Sequence, residues 1–473
     1  EVLRAANQGR DLKYLTKLIA DAKTPTDVAK ATKASWLRRA GGAMYEFWIN
    51  NLLGSFGTHI KNGTGNSLTA LLALPEHYVA AGIGGARKMM GIGSAERITI
   101  GETNAMAYGL VQGVEDGITV FMERLAKDQG EMGLIDPSNM KMEYFRQPQF
   151  TATNWGANEN SHLGRSIDFL GKWYVRLPGR FLEAEDELFK AIGYRMEINR
   201  LAYHQASKEG LTPGTNAFYD RIHDLVSEPP VDLHADAIHF ARYQTFTNDL
   251  TGNMGPAALL FQQTPVGRFM IPFLRTPVNI LKYGLARTPV GGFLPSVMKD
   301  LKAGGPAADL AMARMSMGSF IALAFVASSN NYDEEGRYRP KITGAGPSDP
   351  DIAAQWRNYG ILPYSWYNEE TQTYVPYVVL EPFGTVLATM ANGAEVLNNV
   401  HDPQDRENVI SAMVLGIAEY TTEKSYMQGV TQMVDILRGR GLGSTATNIA
   451  ASYNPSGTSF FSKISRDMDG VKR

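Results

Sequence analysis

Arg268, Arg275, Lys282, Arg287 and Lys299 all fall within residues 250–299, a stretch that contains no Asp or Glu. Cations without carboxylates beside them bind phosphate, Arg through a planar fork of donors and Lys as a point charge. Phe269, Ile271, Phe273, Leu274, Ile280 and Leu281 lie between them and supply apolar surface of the kind that settles beside anionic headgroups. The five cations are therefore expected to contact lipid phosphate or the DNA backbone, the latter without sequence specificity. The competing structural reading is a buried helical connector whose cations reach out to solvent.

Other reactive side chains give weaker patterns. Asp232, His234, Asp236 and His239 resemble a ligand cluster. On a helix, however, the two imidazoles point about 140° apart, unlike the i, i+4 pair that grips zinc, so ordinary surface groups are expected and no metal. His59, His77, His162, His204, His223 and His401 are scattered. Glu185 and Asn199 fall on the apolar stripe of a regular helical period over 181–205, with Phe181, Leu188, Ile192, Met196 and Tyr203. Buried polar groups need partners, so this pair is expected to set a helix register or an oligomer contact; a catalytic Glu185 is the rival reading. The chain has no G-x-S-x-G, no H-E-x-x-H, no P-loop and no Glu-Ser dipeptide of the transglycosylase kind. Gly82-Ile83-Gly84-Gly85-Ala86-Arg87-Lys88 lacks phosphate-loop spacing, and close helix packing is expected there instead. No catalytic residue and no cofactor are assigned.

The elements that must position these groups are mainly α-helical. Thr-Pro-Val recurs at 264–266, 276–278 and 288–290. A Thr cap followed by Pro at the first helical position predicts three short helices in series, each too short to stand alone and each leaning on an apolar surface. Gly63 and Gly65 are read as flanking a polar turn, 101–129 as helix and 137–161 as loop. Residues 361–366 and 373–380, rich in Tyr, Trp and Val around Asn368-Glu369-Glu370-Thr371, predict one small β-hairpin. The apolar run 315–327 has 13 residues where a span needs about 20, and is expected to be a buried helix. The resulting division is a basic helical segment (1–53), a helical domain (54–250), the apolar cationic segment (251–330), a turn and hairpin module (331–382), C-terminal helices (383–440) and a loose tail (441–473).

The chain has 473 residues, 44% of them hydrophobic, so two or three domains are expected in an extended or multi-domain arrangement. Its formal net charge is −2, from 46 basic and 48 acidic residues, so attraction to polyanions must be local. The cationic 250–299 contrasts with 331–381, where acids outnumber bases, and such separation favours contact between copies, hence a homo-oligomer. With no Cys, disulfides, thiolate metal sites and Cys nucleophiles are excluded. The chain begins at Glu1 without a signal pattern and is expected to be a segment of a longer product.

Five strings occur in order: Arg176-Leu177-Pro178-Gly179-Arg180, Pro272-Phe273-Leu274-Arg275-Thr276-Pro277-Val278-Asn279-Ile280, Ile342-Thr343-Gly344-Ala345-Gly346-Pro347, Trp356-Arg357-Asn358-Tyr359-Gly360-Ile361-Leu362-Pro363-Tyr364-Ser365 and Leu380-Glu381-Pro382-Phe383. Together they resemble the C-terminal part of the large internal virion proteins of short-tailed bacteriophages, the core or DNA-ejection proteins, and the related polyvalent-protein-associated domains. The resemblance spans residues 52–419. It implies a non-enzymatic protein that oligomerises in the capsid core beside other core and portal proteins. It further implies later passage into the host envelope as part of a channel for DNA, with transient membrane contact. The absence of a full-length transmembrane span is a departure from that role. Two alternatives remain open: a cell-wall-degrading or nucleic-acid-processing enzyme domain, and a purely structural virion scaffold.

Overall fold

A computed structural model describes residues 36–54, 56–93, 96–129, 133–136, 148–250, 273–327, 339–347, 349–380 and 382–399. Those residues form thirteen α-helices and one small two-stranded antiparallel sheet, the mainly α architecture with a hairpin that the sequence patterns predict.

Helix α6 (Leu177–Lys208) is the axis around which the others pack. Pro178 stands in its first turn, where a missing N–H costs nothing. Against it lie α1 (Trp36–Leu53), α2 (Phe56–Met89), α3 (Ile100–Ala126), α7 (Asn216–Ser227) and α8 (Val231–Gln244). The most intimate of these contacts is with α3. Thr99 starts that helix as its N-cap: its hydroxyl accepts from the Glu102 N–H and donates to the Glu102 carboxylate. Gly109, Gly113 and Gly117 then place bare backbone against α6. A Cβ on Gly109 would overlap the Arg195 carbonyl oxygen, and one on Gly113 would lie 2.7 Å from the Ile192 Cα. Between α3 and α6 come α4 (Ala152–Trp155) and α5 (His162–Leu170), the latter running into a π turn (Gly171–Val175).

Apolar burial is divided among several clusters. Ala70, Ala73, Met106, Ile192, Met196 and Phe240 form the one at the centre of α2, α3, α6 and α8. Tyr45, Trp48, Ile49, Leu53 and Leu182 fasten α1 to the start of α6. Beyond residue 272 come α9 (Arg275–Leu285), a 3-10 turn (Pro289–Phe293), α10 (Pro295–Ala303), α11 (Gly305–Ala327), α12 (Pro350–Asn358) and α13 (Phe383–Asn399). Strands β1 (Ser365–Asn368) and β2 (Thr373–Pro376) pair with Ser365 opposite Pro376 and Asn368 opposite Thr373. The Asn368 carboxamide oxygen accepts from the N–H groups of Glu370 and Thr371 and so closes the turn. Tyr364 and Tyr377 pack this hairpin onto Leu387 and Ala388 of α13.

Several expectations need correction. The boundary at 250/251 does not separate independently packed bodies, because α11 lies along α2 and an ion pair joins Arg287 to Glu76. Gly63 and Gly65 sit inside α2, not beside a turn. Close packing holds at Gly84, whose Cβ would lie 2.6 Å from the Asp309 carboxylate, whereas Gly63 and Gly82 have nothing within 4 Å. Neither described Thr-Pro-Val copy uses its Thr as a cap. Thr276 and Pro277 lie inside α9, which begins at Arg275, and Thr288 donates its hydroxyl to the Leu285 carbonyl while Pro289 opens only a 3-10 turn. In 315–327 the expected burial fails: Ser316, Phe320, Ile321, Leu323 and Ala324 are exposed, and of the described residues there only Gly318 is buried. Among the described residues no helix is long and apolar enough to cross a membrane. The first Thr-Pro-Val copy, most of 1–53, the part of the expected C-terminal helices beyond residue 399, and the tail lie outside the described residues.

Candidate functional site

Arg287 stands in the turn after α9, where Tyr283 and the turn backbone aim it into the bundle. It is 1% exposed. Its Nε and Nη2 donate to the two carboxylate oxygens of Glu76 on α2, at 2.7 and 2.8 Å, and its Nη1 donates to the Tyr243 hydroxyl and the Tyr283 carbonyl. The guanidinium also lies 3.3 Å from the centroid of the Tyr283 ring. Arg314, from α11, adds a bond from its Nε to Glu76 at 3.2 Å and lies over Tyr243. Burial alone would raise the Glu76 carboxyl, but Arg287 and then Arg314 outweigh it and hold the group below 4.5.

His77, the next residue, is turned about 100° around α2 from Glu76. Its Nδ1 lies 2.7 Å from the Ala73 carbonyl, so that nitrogen carries a proton. Burial first, and the charge of Arg200 next, push its pKa down to about 4. Arg200 forms a fork to Glu197 at 2.6 and 2.9 Å and reaches Glu102 at 3.2 Å. The Glu76 group thus joins α2 and α11 to the turn after α9, and the Glu197 group joins α6 to α3, each through charge-assisted bonds.

Further buried carboxylates anchor loops. Glu46 accepts from Arg176 and from the N–H groups of Gln149 and Phe150. Glu187 accepts from the N–H groups of Leu134 and Ile135. Both carboxylates are engaged in holding a guanidinium or loop N–H groups in place, so these arrangements hold shape.

Each residue assigned from the sequence can now be located. Arg287 is corrected: it was expected to meet phosphate, but it is sealed inside the bundle by Glu76. Arg275 binds Asp249 at 3.2 Å, Lys282 is half-buried on α9, and Lys299 is exposed on α10. Arg268 lies outside the described residues. Glu185 accepts from Asn62 at 2.8 Å and lies 3.2 Å from the His59 Nδ1, which fixes α6 against α2. Asn199 donates to Gln112 at 3.2 Å and to the Arg195 carbonyl, fixing α6 against α3. Both sets of contacts lie within the chain. Of the Asp232 to His239 group, His234 meets the Tyr194 hydroxyl, and no group of three metal-ligating side chains converges among the described residues.

The sequence patterns missed a surface. The outward side of α3 carries Ile100, Tyr108, Val111, Val114, Ile118 and Met122, each between 46% and 70% exposed. The spacing of Gly109, Gly113 and Gly117, with bulky apolar residues on the opposite arc, was the available signal. No protein-family model, curated protein or solved structure matches this chain.

Proposed function

We propose that this chain is a non-enzymatic internal virion protein of the short-tailed phage type. In this reading it oligomerises in the capsid core, against other core or portal proteins, and afterwards forms part of the channel that passes DNA across the host envelope. The observation that carries it is the inverted dressing of α3, with glycines inward and large apolar side chains outward, which suits a body made to be covered. The charged side chains support it too, because the buried ones are occupied in holding helices and loops. Lys282 and Lys299 remain the candidates for phosphate contact, with Arg268 and Arg275 as the sequence suggests.

Binding of the wild-type chain to duplex DNA and to anionic vesicles, measured across a salt series, tests this function. Binding that weakens steeply with salt, and weakens further in Lys282→Gln/Lys299→Gln with helical content unchanged, is expected. Salt-independent binding contradicts the phosphate contact, and peptidoglycan turnover that is lost in Glu185→Gln establishes the enzyme alternative. The engagement of Arg287 by Glu76 and of Arg275 by Asp249 favours a second reading, a virion scaffold that touches neither lipid nor DNA. Assembly without binding to DNA or vesicles selects that second reading.

A further inference from the structure

Two helices of the bundle are dressed inside out. On α3 the inward arc holds Met106, Gly109, Gly113 and Gly117, while the outward arc is the apolar stripe from Ile100 to Met122, with the exposed carboxylate of Glu115 set within it. The same inversion recurs on α5 and its π turn. Gly164 and Gly171 face the backbone of Asn158 and Phe150, and Leu163, Phe169, Leu170, Trp173 and Tyr174 point outward with Arg165 one turn before Phe169. A helix in a self-sufficient globule turns its bulky apolar side chains to the core, and among the described residues neither of these two faces is covered by another element, although Arg180 stacks on Trp173 from within.

We infer that the outward face of α3 docks onto the outward face of α5 and the π turn in a second copy of this chain. Size and sign select that occupant. Six large side chains on α3 and five on α5 and its π turn stand roughly half or more exposed, so the two faces pressed together offer on the order of 1,300 Å², the lower part of the range of specific protein interfaces. Two α3 faces laid together would oppose their Glu115 carboxylates, and an anionic bilayer would repel the same group. The α5 face instead offers Arg165, so pairing unlike faces brings opposite charges together and fixes a register. A contact between unlike faces is heterologous and, repeated from copy to copy, makes a ring when the rotation closes. This inference rests on the self-assembly in the function proposed above and gives it a surface.

Sedimentation velocity of the full chain over a concentration series tests the docking, with circular dichroism reporting the fold. Val111→Glu/Ile118→Glu is expected to weaken association at least about tenfold, and the exposed single changes Glu115→Arg and Arg165→Glu each by about threefold or more. Placed together in one chain, Glu115→Arg and Arg165→Glu are expected to restore association to near wild type, because the reversed pair still attracts. Phe293→Glu, exposed on the 3-10 turn, is expected to leave association unchanged. Association undiminished in Val111→Glu/Ile118→Glu, or a double charge reversal as weak as the sum of its singles, overturns the docking while self-assembly stands. A wild-type chain that stays monomeric throughout overturns both.

Discussion

Arg287 illustrates how a cation reads differently with and without its surroundings. In sequence it stands among other cations with no carboxylate for many residues on either side. Its partner, Glu76, is supplied by a helix that only tertiary packing brings near. A buried guanidinium is tolerated when both sides of the pair are hydrogen-bonded, and removing one side strands the other. Glu76→Gln is expected to leave Arg287 and Arg314 uncompensated and to cost about 3–5 kcal/mol in urea unfolding. His77 adds a pH dependence. Its folded pKa of about 4 lies below the ordinary 6.5, so the unfolded chain binds more protons between those values. Its contribution is therefore complete above 6.5 and is lost as pH falls toward 4, by up to about 3 kcal/mol. Burial raises the Glu46 and Glu187 carboxyls above 4.5, and these act in the opposite direction at the acid end. The difference in unfolding free energy between wild type and His77→Gln from pH 7 to 5 isolates the imidazole, and a slope unchanged by the substitution would contradict the assignment.

At the scale of elements, α3 and α6 are held together by absent side chains. Gly109→Ala gains helix propensity of about 1 kcal/mol, yet its methyl would overlap the Arg195 carbonyl, which is backbone and cannot swing aside. Overpacking is expected to win, with a net loss of about 1–3 kcal/mol in thermal or urea unfolding. Gly82→Ala on α2, with open space around it, is expected to gain about 0.5–1 kcal/mol. Equal effects at the two positions would contradict the close approach. These elements also mark what the sequence discloses. The period over 181–205 and the Tyr-rich runs around Asn368 announced α6 and the hairpin, because a helical stripe and a strand pair leave local patterns. The Thr-Pro-Val repeat misled, because a Thr cap requires a free first turn, and the chain enters α9 earlier than Thr276. Glu185 and Asn199 were legible as polar residues needing partners, but His59, Asn62 and Gln112 come from elements distant in sequence.

Across the described residues, several Arg–carboxylate pairs are closed inside the bundle while large apolar side chains on α3 and α5 turn outward, an arrangement suited to a subunit of an assembly. The segment beyond residue 272 belongs to the same packed body as α2, so its half-buried and exposed cations, Lys282 and Lys299, are presented on a fixed frame. Such a frame can line a passage for phosphate without base contacts, since phosphate binding needs charge and position and no sequence readout. Electron microscopy of the purified chain under associating conditions measures this most directly. A closed oligomer is expected, with α3 covered by its neighbour and a lumen that admits duplex DNA and is lined by Lys299. A lone monomer with α3 open to solvent and a polar cleft at Glu185 would contradict it.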